Sequence, residues 1–252
     1  RAKSLSDLMR RIPENSYDQL LLLSCSGQFS STFLTALPTE SMKRLADEAF
    51  KLALRLRMGL DVDLPYQPPG TIAYLGATKI DTSDTVRAST LGIARQLLSA
   101  PGTRTSMHDG VRNALLWLLR RSDHYYNSLA EPLCASIFPV LRDPVTGKTL
   151  LSLNQLSTRR ADIQLPSYAA NLTTVTDIAL TLPTATQSRD IYHTQGVAAA
   201  VMEEKKMKKY REGFNINAGK KRRVIPYVVE TFGYPGTSAA QFISELGKDL
   251  AE

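Results

Sequence analysis

The sequence predicts an α/β fold: a mixed central sheet flanked by helices, preceded by a helical N-terminal region. Three observations carry this. Residues 1 to about 60 have helical texture. Beyond Glu131 the texture changes to short strand-like runs. A long helical stretch then separates those runs from one more strand and a closing helix. Helices and strands in that order bury their apolar faces best as a sheet with helices packed against it.

Each element has a local reason. Ser16-Tyr17-Asp18 stands before the apolar run Leu20 to Leu23. Pro38-Thr39-Glu40 opens a helix, with Thr39 as its cap and Leu45, Ala49, Leu52 and Leu56 on one stripe. Asp61 to Gly70 carries three prolines and a glycine and reads as a loop or linker. Residues 71 to 92 favour neither helix nor strand. Ser106 to Arg121 is helical, with Val111, Leu115, Leu118 and Leu119 on one face and Trp117 assigned to the core. Leu133 to Leu141 reads as a strand, and Asp143-Pro144-Val145-Thr146-Gly147-Lys148 as the turn after it. Ala161 to Leu165 and Thr174 to Leu182 are further strands. Asp190 to Glu212 reads as one long helix, Val224 to Phe232 as a buried strand, and Ser238 to Ala251 as the closing helix. No internal repeat or low-complexity segment appears. The expected organisation is a helical region over 1–70, a connector over 71–105 and the sheet-bearing domain over 106–252.

Composition narrows the function classes. With 252 residues, 43% of them hydrophobic, the chain can bury a core as one large or two small domains. Net charge is +7, and its distribution says more: Lys205 to Lys209 and Lys220 to Arg223 are dense basic clusters. Such clusters suit a polyanion, although a solvated helix face gives the same pattern. The two cysteines, Cys25 and Cys134, exclude a disulfide scaffold and point to a reducing compartment. They cannot build a four-ligand structural zinc site by themselves. No run of eighteen apolar residues exists, so no membrane span is expected. The opening R-A-K-S-L-S-D-L-M-R-R has neither a methionine nor a signal-peptide apolar region, and reads as the start of a piece of a longer protein.

The residues richest in chemistry lie between Arg159 and Gly233. Asp162 in R-R-A-D-I and Asp177 in V-T-D-I-A-L-T have fourteen residues between them, each in a strand-like run. An aspartate inside an apolar strand is unfavourable unless something satisfies it. Two carboxylates on adjacent strands can hold a hard cation such as Mg²⁺ or Mn²⁺, and a lysine can steady an attacking water and phosphate charge. The helical run E-E-K-K-M-K-K-Y, Glu203 to Tyr210, supplies lysines. Lys206 and Lys209 share a face, and Lys205 and Lys208 share one about 100° away. Ala198, Val201 and Met202 mark the side of that helix expected to meet the sheet. Glu131 suits either a metal ligand or a surface cap, and Glu230 a site residue or the strand partner of a lysine. His108 in M-H-D-G could bind a metal or a phosphate, but reads more readily as a cap or a core hydrogen-bonder. Cys25, without a histidine nearby in sequence, reads as a structural thiol.

In these residues the chain resembles the C-terminal region of site-specific non-long-terminal-repeat retrotransposon proteins that carry a restriction-like endonuclease. Matching elements are A-L-P-T (Ala36 to Thr39), A-L-R-L-R-M-G-L (Ala53 to Leu60), M-H-D-G-V-R-N-A-L (Met107 to Leu115), E-P-L (Glu131 to Leu133), R-R-A-D-I, V-T-D-I-A-L-T, K-K-Y and V-V-E-T-F-G. The resemblance implies a restriction-endonuclease-like core that nicks DNA to prime reverse transcription. It implies Asp162, Asp177 and Glu131 as metal ligands, and Lys206 or Lys209 with Tyr210 at the catalytic helix. Tyr210 would position either the helix or the scissile strand. Lys205, Lys208, Lys220, Lys221, Arg222 and Arg223 would contact DNA or RNA phosphates. A nuclear location and a reverse transcriptase region outside this segment also follow. Two departures stand out. The family's zinc motif falls on Ile72 to Ser89, where Ile72 or Ala73, Leu75, Thr85 and Ser89 replace ligands, so zinc is not expected. Ala161 stands where a proline usually precedes the first aspartate. The drift in the zinc motif supports an alternative: a domesticated, non-catalytic nucleic-acid-binding or structural module that keeps the nuclease fold.

Overall fold

A computed structural model of the chain describes residues 10–14, 16–26, 72–75, 78–81, 96, 103–121, 125–165, 173–185, 189–216 and 222–249. The expected helix opened by Thr39, the loop over 61–70, and Lys220 and Lys221 lie outside these residues. The chain divides into two compact units, each assembled from separate stretches. Arg1–Met107, Leu180–Ala198 and Glu230–Pro235 form the first; His108–Ala179, Ala199–Val229 and Gly236–Glu252 form the second.

In the first unit, helix α1 (Tyr17–Cys25) starts where Ser16 in extended conformation accepts the Gln19 N–H through its hydroxyl. That bond satisfies one of the donors a helix start leaves open. Leu20, Leu21 and Leu23 of this helix are buried, and Leu21 packs with Phe232. Strands β1 (Ile72–Leu75) and β2 (Thr78–Asp81) form an antiparallel hairpin with Leu75 opposite Thr78. The region that favoured neither state in sequence is therefore partly strand.

The second unit is a sheet covered on both faces. Helix α2 (Thr103–Arg120) leads to β3 (Leu129–Ala130), short helices α3 (Cys134–Ile137) and α4 (Leu153–Thr158), then β4 (Ile163–Leu165) and β5 (Thr173–Thr181). Helix α5 (Val197–Arg211), strand β6 (Arg222–Glu230) and helix α6 (Thr237–Asp249) follow. Sheet order is β3-β4-β5-β6; the first two pairings are antiparallel and the sheet as a whole is mixed. Leu115, Leu116 and Leu119 of α2 and Phe242 and Leu246 of α6 pack on Ile163, Leu165, Ile178 and Ile225. On the opposite face Ala199 and Met202 of α5 meet Ala179 and Val228. Alternate strand residues thus serve different helices, as the two-residue period of a strand requires. The α/β class with a mixed sheet and flanking helices is what the sequence predicts.

Several local expectations are corrected. Leu133–Leu141 is not a strand: α3 interrupts it, and only isolated bridges such as Val140 to Phe214 remain. Cys134, Ile137 and Phe138 instead bury together with Tyr210 and Phe214. The long helix is broken into a 3₁₀ turn (Arg189–Tyr192) and α5, with Gly196 at φ 71° between them. That left-handed conformation is cheap for glycine and halts a continuous helix. Trp117 is not core; it is 42% exposed, with the Arg121 guanidinium 4.0 Å above its ring. Leu118 and Val201 are also exposed, their expected places being taken by Leu116 and Ala199. The turn at Asp143 stands as expected: its carboxylate accepts the N–H groups of Val145 and Thr146, between paired Arg142 and Thr149.

Candidate metal and phosphate site

The site grows from the pairing of β4 and β5. Ile163 lies opposite Thr176, Gln164 opposite Val175 and Leu165 opposite Thr174. One residue before that register begins, Asp162 sits in a bend and donates its N–H to the Thr176 carbonyl at 3.0 Å, which places it beside Asp177. The fourteen intervening residues are what brings the two carboxylates near one another.

Asp177 shares its face with Val175 and Ala179 and is 3% exposed. Helix α5 crosses that face. The Lys206 ammonium binds Asp177 Oδ1 and donates to the Ile178 carbonyl at 2.9 Å, and Lys209 Nζ lies 3.4 Å from Oδ2. Both lysines that share a face in sequence reach the same carboxylate. Lys205 and Lys208 face solvent, and Lys208 pairs with Glu212 at 3.7 Å.

Asp162 occupies the bend before β4. Its Oδ2 accepts the Ile178 N–H at 2.5 Å and lies 3.1 Å from His108 Nε2. Burial, and then the charge of Asp177 beside it, hold the Asp162 carboxyl above the usual carboxylate range. The lowering contributions from the Ile178 N–H and from His108 are smaller. Two like charges crowded in a dry place favour a proton or a cation between them.

Glu131 stands next to Asp162 through its backbone, its N–H donating to the Asp162 carbonyl at 3.0 Å. Its side chain goes elsewhere. The carboxylate, more than half exposed, pairs with Arg112, which also reaches Asp109 at 3.2 Å. Glu131 has φ 49°, an unusual left-handed setting for a residue with a Cβ, and Arg160 donates to its carbonyl at 2.8 Å. Glu230 belongs to the first unit, where it is buried and accepts the Ser24 hydroxyl at 2.7 Å. Arg222 and Arg223 are partly buried, and Arg223 pairs with Glu245 at 2.9 Å.

Tyr210 sits in the core rather than at the surface. It is 1% exposed, packs edge-on against Phe138, and its hydroxyl adjoins the Cys134 thiol without a hydrogen bond of ordinary geometry among the described residues. Of the two roles left open for it, packing supports positioning the helix. Burial, followed by the Asp177 carboxylate and the Cys134 thiol nearby, pushes its phenol far above the working range, so it stays neutral. Arg159 adds a second anchor by donating to the Lys209 carbonyl at 3.0 Å, where a helix end accepts cations favourably.

His108 is a hydrogen-bonder here, one of the two roles the sequence favours for it, with Asp109 at 3.3 Å and Asp162 at 3.1 Å as partners. The adjacent Asp109 was visible, but the contact with Asp162 crosses 54 residues of chain and has no linear signature. Among the described residues no three His, Cys, Asp or Glu side chains are close enough together to enclose a metal ion as they stand. The donor chemistry nonetheless suits magnesium, which commonly takes one or two carboxylates and completes its shell with water and phosphate.

No protein-family model matches the chain, and no match is found among curated proteins or solved structures. Among the described residues no helix is long and apolar enough to cross a membrane.

Proposed function

We propose that the chain is a metal-dependent DNA endonuclease domain with a restriction-endonuclease-like core, nicking DNA for target-primed reverse transcription. The observation that supports it is Asp162, in the bend before β4, beside Asp177 of β5, with two lysines from the following helix on Asp177. Asp162 and Asp177 hold the ion, Mg²⁺ or Mn²⁺. When bound, that ion supplies Lewis-acid polarisation of the scissile phosphate and a more acidic attacking water. Lys206 and Lys209 place positive charge beside the carboxylates, where negative charge grows on the phosphate as the water oxygen bonds to phosphorus and the P–O3′ or P–O5′ bond breaks. Lys205 and Lys208, outward on the same helix, hold flanking phosphates and position the strand without reading its sequence. Purified protein with supercoiled plasmid and Mg²⁺ is the direct test: relaxed circles are expected, and Asp177→Ala nicking as fast as the parent would end this reading.

A second reading has its own observation. Both Asp177 oxygens already carry a lysine partner, so the carboxylate is satisfied without any metal. A domesticated, non-catalytic module would keep that pair as structure and bind nucleic acid through surface lysines alone. Its affinity would fall steeply with salt and be unchanged or improved in Asp162→Ala.

A further inference from the structure

We propose that the C-terminal end of α2 is a stacking platform for an unpaired strand of nucleic acid, with Trp117 and Tyr126 as the rings on which bases lie. This rests on reading the chain as a nucleic-acid binder, and not on the chemistry at Asp177.

Helix α2 is apolar on two sides. Leu115, Leu116 and Leu119 are buried in the core that covers the sheet. The helical period turns Trp117 and Leu118 the other way, where they are 42% and 40% exposed. Arg121 stands one turn beyond Trp117 and lays its guanidinium 4.0 Å from the ring centroid. That cation–π contact fixes the ring's direction and keeps a positive charge beside it.

Tyr126 is brought to the same end of the helix. Its neighbour Tyr125 is buried with Leu115 and Leu119. Arg120 donates Nε and Nη2 to the Ser128 carbonyl at 3.3 and 3.2 Å, and the Ser128 hydroxyl donates to the Tyr125 carbonyl at 2.7 Å. The turn is thus tied down at Tyr125 and at Ser128, and Tyr126 between them is 63% exposed. An aromatic ring presented on a fixed backbone has little freedom left to lose when something stacks on it.

Tryptophan, tyrosine and arginine also anchor protein partners, so charge decides the occupant. From Val111 to Arg121 the chain has three arginines and no aspartate or glutamate, within a net charge of +7. Arg112 pairs with Glu131, so the positive charge gathers at Arg120 and Arg121, beside the rings. Cations interleaved with aromatic rings suit a single strand: the cations follow phosphates and the rings take base faces, which a duplex hides in its own stack. His108, nine residues before Trp117 on the same helix, contacts Asp162. Trp117 therefore lies roughly 14 Å along the helix axis from that contact, so one strand can span both.

Trp117 is the only tryptophan in the chain, so its emission reports on this place alone. In chelator, where no metal-dependent cutting occurs, a short oligothymidylate should quench the emission of the full chain. An abasic oligomer of equal length, with phosphates and no bases, should leave it unchanged. Anisotropy of labelled oligothymidylate should show Trp117→Ala binding about tenfold more weakly and Tyr126→Ala about fivefold, with quenching retained in Tyr126→Ala. Trp117→Phe should recover most of the affinity, because a ring is restored at an unchanged fold. Equal quenching by a duplex of the same length overturns the proposal. So does emission that ignores an oligothymidylate that binds, or a blue shift that grows with protein concentration alone and marks a contact between copies. Plasmid nicking by a chain whose Trp117 stays unquenched removes the platform and leaves the nuclease reading standing; a quenched Trp117 without nicking supports the platform and removes the nuclease.

Discussion

Four lysines of one helix make different contacts, and these sort them into two pairs. Lys206 and Lys209 touch Asp177, while Lys205 and Lys208 face solvent. Lys206→Ala or Lys209→Ala should therefore cut plasmid nicking about 100-fold or more, the cost of losing one preorganised positive group, with little change in DNA affinity. Lys205→Ala and Lys208→Ala should do the opposite, weakening binding evenly across sequences and reducing its salt slope by about one each. Gel-shift titrations at several salt concentrations, beside nicking rates, separate the two classes; equal loss of cleavage in all four would leave the helix a merely electrostatic role. Asp162 makes a pH-dependent prediction. Its carboxyl is raised in the fold by burial and by Asp177, so its contribution to stability is fullest below the ordinary carboxylate range. That contribution is lost as pH climbs through the raised folded value. In chelator-treated protein Asp162→Asn should then melt higher than the parent near neutral pH, with the gain disappearing below about pH 3.9. A lower melting temperature at neutral pH would contradict the crowding of charge described for this pair.

Helix α5 is aimed by what lies at its C-terminal end. Tyr210 fills a pocket of Cys134, Ile137, Phe138 and Phe214, and Arg159 grips the Lys209 carbonyl. Since the phenol oxygen finds no ordinary hydrogen bond among the described residues, Tyr210→Phe should alter stability by less than about 1 kcal/mol and preserve nicking. Tyr210→Ala should cost about 3–5 kcal/mol in urea unfolding, as deletion of a fully buried ring does. A large loss from Tyr210→Phe would mean that the hydroxyl acts on the chemistry. At this scale the sequence was most readable where period and caps agreed. Strands β4 and β5, the closing helix and the Asp143 turn all have local causes, and all appear. The carboxylate pair and the shared face of Lys206 and Lys209 were legible for the same reason. Leu133–Leu141 was misread because a short helix and a buried strand both show an unbroken apolar run. Trp117 was misassigned because an aromatic beside core leucines looks apolar, although Arg121 covers its ring at the surface. The contacts of His108 with Asp162 and of Arg112 with Glu131 were not legible, because those partners are remote in sequence.

The division into two units was the least legible feature. The chain leaves the second unit at Leu180, returns at Ala199, leaves again at Glu230 and returns at Gly236. The contact of Ser24 with Glu230 spans 206 positions, and no local pattern announces such a return. A continuous partition at residues 70 and 105 follows composition, whereas the compact units follow packing. One detail of the sheet has a bearing on how copies of this protein behave in a crowded solution. Among the described residues strand β6 is at the end of the strand order, and an end strand invites a stranger to pair with it. Pro226 sits in the middle of that strand and brings no N–H, and the Val228 carbonyl two residues on is already taken by the Gly236 N–H at 2.8 Å. Proline is tolerated in such a place because it need not donate to a neighbour. Restoring a donor with Pro226→Val should leave the monomer folded but let chains join edge to edge. Light scattering at rising concentration should register growing assemblies in the variant and none in the parent; the same trace from both would mean that a single imino acid has no part in keeping that edge from templating its own copies.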